Sequence, residues 1–408
     1  MTREELLQEI LKDSGKSILI EAGTGLGKTY LALSKVDKLA PKGNILVVIP
    51  RIVNIDTWKE EFKKWGFTKY LKQTKFVTYV SYPKLKGQTF DIQIFDETHH
   101  LSERCRKSIS LINSNHNILL SATIKKTLRF ELNRIFKDLH TYQLTTKEAI
   151  DNEILPQPRI ILIPLQLQNG VPTLSMWKNP KAPKVVEISY AQWLKGKWTY
   201  LKSKNKQLGV KIRCNEVQYY NELNGLIDWC WDRYYKCAVP KQKAIYKQAY
   251  LRACGERLTW LSEIKTSYVS SILKQLNNTR TLTFCNGIAQ TEKLGKYCIN
   301  SKNKLSKEYL KMFNNGEINH ITACNMLNEG VNLSSCQIGI FANLNSSEIM
   351  QVQKIGRILR HQKPIIILPY YQCTREQEIL TKMLEQYDNS LISVLTDYTK
   401  LIINENLT

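Results

Sequence analysis

The sequence predicts an α/β protein of two parallel-sheet domains separated by a basic, aromatic-rich and largely helical segment. Three observations predict it. Short apolar runs alternate with helix-length stretches through the first 150 residues, the same alternation returns near residue 279, and cations and tryptophans gather between them. Expected boundaries are 1–155, 156–276 and 277–408.

In the first domain the apolar runs are Ser17–Ala22, Asn44–Ile49, Lys75–Val80, Asp91–Phe95 and Asn117–Ser121. Runs this short and rich in Ile, Val and Leu suit strands buried on both faces, which is how βαβ units build a parallel sheet. In the last domain the runs are 279–285, 318–324, 337–343 and 363–370.

The middle has a different chemistry. Between Gln157 and Lys274 there are 20 Lys/Arg against 7 Asp/Glu, so more than half of the chain's net charge of +23 lies there, with six of the eight tryptophans. A strand-like run occupies 159–167. Further on, Leu258, Leu261, Ile264, Tyr268, Ile272 and Leu276 recur every three or four residues, the period of one apolar helix face. The stretch 190–206 carries Lys195, Lys197, Lys202, Lys204 and Lys206 with no acid, and sets Tyr190, Trp193, Trp198 and Tyr200 among them. Cations neutralise phosphates and aromatic faces stack on unpaired bases, so Trp193, Lys195, Lys197 and Trp198 are candidate nucleic-acid contacts. The plainer alternative is a linker with a small aromatic core under a lysine-rich surface.

Charge and composition narrow the classes. A basic excess of this size favours a polyanionic partner. No stretch reaches the roughly 18–20 apolar residues a bilayer span needs, and "MTREELLQEILKD" lacks a signal-peptide core, so a soluble protein without a membrane partner is expected. Ten cysteines include no C-x-x-C pair, which argues against a zinc site or disulfide framework and suggests a reducing cytoplasm, the host's if the source is viral. The Lys-, Asn- and Ile-rich composition points to an AT-rich genome, such as a phage's.

The octet "AGTGLGKT", which is Ala22, Gly23, Thr24, Gly25, Leu26, Gly27, Lys28 and Thr29, directly follows the first strand. It matches a phosphate-binding loop with Ala for the usual first Gly. Glycines turn backbone N–H groups toward phosphate, the lysine reaches the outer phosphates, and the threonine hydroxyl ligates Mg²⁺. A glycine-rich bend between strand and helix is the bland reading. The run 92–95 ends in Asp96-Glu97, two carboxylates at the carboxyl edge of the sheet, where α/β folds bind ligands. Asp96 suits Mg²⁺, and Glu97 suits a proton acceptor for an attacking water. Alone, such a pair is more often a helix cap. His99 and His100 have no third ligand beside them; one is expected to relay between sites, the other to pack.

Taken in order, "AGTGLGKT", "DETHH", "SAT" (Ser121-Ala122-Thr123) and "QKIGRILR" (353–360) resemble motifs I, II, III and VI of superfamily 2 helicases and translocases. The resemblance implies two RecA-like domains with ATP between them. It further implies that Gln353 positions water or the γ-phosphate, that Arg357 and Arg360 act as arginine fingers, and that Ser121 and Thr123 couple hydrolysis to movement. "IPRIVNIDTW" is similar to motif Ia, implying a strand contact by Arg51. "NMLNEGVNL" is similar to motif V, implying close backbone approach at Gly330, with Asn332 where many relatives carry aspartate. The likeness covers about 1–155 and 277–370. "EAGTGLGKT" is similar to iron–sulfur repair helicases, whose four first-domain cysteines are absent here. "QKIGRILR" is more similar to repair and branch-migration translocases and phage recombination helicases.

The expected function is an ATP- and Mg²⁺-dependent DNA helicase or translocase of replication, recombination or repair, moving 3′ to 5′ by analogy. Its expected substrate is single-stranded or branched DNA and its expected state a monomer. The alternatives are an RNA helicase, and a nucleotide-gated binding subunit without turnover.

Overall fold

The computed structural model describes residues 2–400 except 24, 180, 198–207, 277–278, 325–332, 334–335, 345–346 and 348–353. The chain divides into two compact units. One comprises Met1–Ile163, Thr266–Pro369 and Glu378–Thr408; the other comprises Pro164–Lys265 with Tyr370–Gln377.

The first unit holds two sheets. Strands β1 (Ser17–Ala22), β2 (Ile45–Ile49), β3 (Thr74–Thr78), β4 (Thr89–Phe95), β5 (Asn113–Ser121) and β6 (Leu139–Leu144) form a six-stranded sheet in the order β3-β2-β4-β5-β1-β6. Every pairing in it is parallel. All residues of β1 and β2 are buried, as expected for strands covered on both faces. Leu19, Leu46, Val48, Phe95 and Leu119 join one core cluster, each side chain supplying roughly 1.5–3 kcal/mol of burial. Helix α1 (Arg3–Lys12) begins with a capping box between Thr2 and Glu5 and buries Leu6 and Ile10, the inner stripe of the charged N-terminal segment.

The second sheet has seven strands in the order β12-β13-β11-β14-β15-β7-β16. These are β7 (Arg159–Leu165), β11 (Thr281–Phe284), β12 (Cys298–Ile299), β13 (His320–Ala323), β14 (Ile338–Phe341), β15 (Ile365–Tyr371) and β16 (Ile392–Val394). The strand read from 159–167 thus pairs within the second sheet, although the sequence analysis assigned it to the connecting segment. Its inner residues Ile160 to Ile163 are buried, which a strand on a linker surface would not achieve.

The second unit is built on three strands as well as helices. β10 (Leu208–Cys214) lies antiparallel to β8 (Leu174–Lys178) and parallel to β9 (Lys184–Ser189). Met176, Ile188, Val210, Ile212 and Cys214 close its small core. The polar residues alternating with these face outward and hide the strand signal in the sequence. Helices Glu216–Lys236 and Pro240–Ile264 pack along one another, the first capped by Asn215 and Gln218, the second opened by Pro240. The periodic run 256–276 is two helices, dividing at Lys265 before Thr266–Gln275.

Candidate active site

Parallel strands in one sheet expose their carboxyl ends along a common edge, so the turns after β1, β2, β4 and β5 converge. The turn after β1 carries the glycines. Gly25 has φ +91° and Gly27 φ +79°, a left-handed backbone that only glycine adopts freely. A Cβ on Gly23 would lie 2.9 Å from Thr146 Oγ1, so that position is also sterically closed. Helix α2 (Lys28–Leu39) starts at once, with Gly27 as its cap and Thr29 in its first turn. The helix therefore aims free N–H groups and its positive end into the loop. Lys28 Nζ curls over the same loop, donating to the carbonyls of Ala22 at 3.0 Å and Gly23 at 3.4 Å. Leu26 is buried and Thr24 lies outside the described residues.

After β4 come the carboxylates. Asp96 Oδ2 accepts from Trp58 Nε1 at 2.9 Å, and the Asp96 carbonyl accepts from Tyr79 Oη at 2.7 Å. Burial, followed by the adjacent Glu97 charge, holds the Asp96 carboxyl above the usual range, with Trp58 and Lys28 opposing. A cation placed there would reverse that shift. Glu97 has φ +50°, a strained conformation for a residue with a side chain, and such strain gathers at functional positions. Its Oε2 is buried and makes no hydrogen bond among the described residues. A buried carboxylate oxygen that makes no hydrogen bond within the described chain can take one from outside it.

The turn after β5 connects to this pair. His99 Nδ1 lies 3.4 Å from Glu97 Oε2 and 3.4 Å from Ser121 Oγ, and Ser121 Oγ donates to the Thr123 carbonyl at 2.9 Å. Thr123 Oγ1 is buried without a hydrogen bond among the described residues. Glu21, at the end of β1, accepts from the Ile124 backbone N–H at 2.8 Å and from Arg129. These links tie the acidic pair to the Ser-Ala-Thr turn, and the residue after that turn to the end of β1.

From the second sheet, the segment 354–360 arrives at the glycine loop: the Gly356 carbonyl oxygen is 3.9 Å from where a Cβ on Gly25 would sit. Arg357 is buried. Arg360 donates from Nη1 to the Leu333 carbonyl at 3.0 Å, and Glu61 of helix α3 (Asn54–Lys64) acts electrostatically on its guanidinium. Gln353 and Gly330 lie outside the described residues. Arg51 is exposed on the turn after β2, beside the exposed Ile52 and Val53.

Two family models match this chain. That of the type III restriction enzyme res subunit covers residues 2–126, and that of the helicase conserved C-terminal domain covers 264–362. They fall in order on the two halves that carry the converging turns. The chain belongs to the superfamily 2 helicases. It is a nucleic-acid-dependent ATPase with two parallel-sheet, RecA-like domains. A DNA 3′-5′ translocase XPB2 of Sulfurisphaera tokodaii is 25% identical over 364 residues, 84% of this chain and 74% of the relative. Among solved structures, the Hef helicase domain of Pyrococcus furiosus aligns with TM-score 0.51 at 15% identity, covering 93% of this chain and 97% of that one. S. cerevisiae Dbp5 bound to RNA and ADP BeF3 aligns with TM-score 0.59 at 11% identity, covering 97% and 89%.

Other predicted contacts of the helicase lie in the second unit. Trp193 sits on the short helix Tyr190–Leu194, half-buried against the small core, with Nε1 donating to Glu222 Oε1 at 3.0 Å. Lys195 and Lys197 are exposed, and Trp198 lies outside the described residues. Sequence reasoning missed Arg3, whose guanidinium would lie 2.8 Å from a Cβ on Gly27 and which covers the Tyr30 ring at 4.9 Å. An arginine in a charged N-terminal helix carries no signal of that neighbour. Trp58 stood inside the motif Ia resemblance, but its bond to Asp96 requires the sheet. Among the described residues no helix is long and apolar enough to cross a membrane.

Proposed function

We propose that the chain is an ATP-driven DNA translocase or helicase of replication, recombination or repair. What carries the reading is the approach of the two halves at the phosphate loop, Gly356 O lying 3.9 Å from a Cβ position on Gly25. That approach supports one triphosphate read by both sheets. The likeness to a DNA 3′-5′ translocase supports DNA as the substrate and 3′ to 5′ as the direction.

In this reading the N–H groups of the glycine loop and Lys28 bind the phosphates of ATP. Thr29 and Asp96 would hold Mg²⁺, which would neutralise charge on the outer phosphates. The residues fit that ion: burial and the adjacent Glu97 charge raise the Asp96 carboxyl, a shift that a cation would oppose, and Thr29 stands in the first turn beside Lys28. Glu97 Oε2 accepts the proton of the attacking water, and His99 passes the resulting charge change to Ser121 and Thr123. Arg357 and Arg360, with Gln353, stabilise the charge that develops on the phosphoryl group. Loss of that group weakens the grip of one half on the other, and alternate closing and opening moves the protein along a strand held by Arg51, Trp193, Lys195, Lys197 and Trp198. Gly330 lets the backbone approach the nucleotide closely.

ATP hydrolysis measured with single-stranded DNA, forked DNA and RNA, for the wild type and Glu97→Gln, tests the proposal. Stimulation by DNA that Glu97→Gln abolishes supports it. Stimulation by RNA alone would replace DNA by RNA, and strand binding with no stimulation would make the chain a nucleotide-gated binding subunit.

A further inference from the structure

The segment between the two family matches, residues 127–263, contains a hollow of about 700 Å³ in the second unit. Trp177, Lys178, Trp193, Tyr219, Glu222 and Trp229 line it. Trp177 is 49% exposed and Trp229 51%, which leaves a large apolar area in water for side chains that normally bury. Each indole has a cation near it. Lys178 Nζ is 5.2 Å from the Trp193 ring centre, Lys211 Nζ 5.7 Å from Trp177, and Arg233 Cζ 5.6 Å from Trp229. Of the two wall carboxylates, Glu222 is engaged by Tyr190 Oη at 3.2 Å and Trp193 Nε1 at 3.0 Å, which fixes the wall. Glu256, the other, shares the lining with Lys178, and Lys211 beside Trp177 also pairs with Glu187 at 3.0 Å.

Indole faces stack on any base, and cations beside them neutralise the phosphates on either side of it. The size falls within the roughly 300–1,000 Å³ of clefts that enclose small ligands. Its walls come from strand β8, the short helix Tyr190–Leu194 and the two long helices. We propose that this hollow receives an unpaired base of a single-stranded nucleic acid, stacked on Trp177 or Trp229. The inference rests on the reading of the chain as a nucleic-acid motor and names a strand contact that no motif of the family supplies.

The test uses the full chain and an oligodeoxythymidine strand bearing one 2-aminopurine, whose emission falls when it stacks on an indole. Quenching is expected without nucleotide, and also in Lys28→Ala, which separates it from ATP turnover. Trp177→Ala or Trp229→Ala should weaken strand affinity by roughly 5- to 150-fold, the range for one stacked base, and remove the quench. Both side chains are half-exposed, so truncation leaves the core filled, and Trp→Phe at the same positions should restore most of the affinity. Wild-type affinity and quench in both alanine variants would overturn the proposal, as would a wild type that binds the strand without quenching. Strand-stimulated ATP hydrolysis, read on the same samples, reports separately on the motor function: quench without stimulation leaves the hollow standing and removes the motor.

Discussion

Lys265 Nζ lies 2.6 Å from Glu376 Oε1, and neither side chain has any exposure to solvent. The other carboxylate oxygen, Oε2, accepts from the Tyr371 N–H at 3.0 Å, and the ammonium also faces the Tyr371 ring at 5.9 Å. Burial lowers the lysine pKa, and Glu376 opposes that shift. The pair joins the point where the long helical run divides to the first turn of the helix Arg375–Leu384 that follows β15.

Breaking such a pair strands one charge in a dry interior, so Lys265→Met or Glu376→Gln should each destabilise the protein by about 3–5 kcal/mol. The double variant Lys265→Met/Glu376→Leu should recover part of that loss. Urea unfolding of the three variants checks this; a loss in the double variant equal to the sum of the two single losses would show that the two groups act independently.

Glu97 occupies a backbone region where glycine is at ease, with φ +50°. Glu97→Gly should therefore raise stability by about 1 kcal/mol while abolishing ATP turnover, a trade of strain for function. Thermal melting paired with a phosphate-release assay reads both effects. A lower melting temperature would mean that the conformation is not strained.

Arg360→Ala should lower hydrolysis by about 10³-fold or more and leave nucleotide affinity within a few-fold, because an arginine finger acts on charge that develops only during reaction. Equilibrium binding of a fluorescent ATP analogue beside steady-state turnover separates the two. An equal loss of both would recast Arg360 as a support for the Leu333 carbonyl it already contacts.

Lys195 and Lys197 are exposed and lack acidic neighbours in sequence. Changing both to Gln should reduce the slope of log affinity against log salt by up to about 2, roughly one per phosphate contact. Strand-binding anisotropy between low and high salt measures it, and an unchanged slope would return that stretch to a solvated surface.

His320 sits beside Thr283 Oγ1 at 3.1 Å, and burial pushes its pKa down to about 4. The native state then binds fewer protons than the unfolded state between pH 4 and 6.5. Stability should be full above pH 6.5 and fall as pH drops toward 4, by at most about 3 kcal/mol and by less for the ring's partial exposure. Comparing the wild type with His320→Gln isolates this from the carboxylates; identical pH profiles would refute it.

The strands of the first sheet could be read from sequence because burial on both faces leaves unbroken apolar runs: Ser17–Ala22 keeps its predicted bounds, and Ile45–Ile49 differs by one residue. The glycine loop was legible for a related reason, since left-handed turns restrict residue choice at Gly25 and Gly27. Strands β8 and β9 were not. Their outward faces mix polar residues such as Ser175, Lys184 and Glu187 with the exposed Trp177 and Val185, which breaks the alternation, and only a few inward ones form the core. The helix break falls at Lys265, whose buried partner Glu376 is 111 residues away and left no signal in the local pattern. Trp193 looked like a free stacking surface on composition, while its indole is half-buried and hydrogen-bonded. The φ of Glu97 leaves no trace in residue type at all.

Every described strand of the six-stranded sheet ends by Leu144, and every strand of the seven-stranded one begins at or after Arg159. The polypeptide therefore makes one passage between the sheets. Severing the backbone once within residues 152–158 would leave each ladder of hydrogen bonds whole, so the molecule lends itself to production as two complementary fragments whose reunion can be put under outside control.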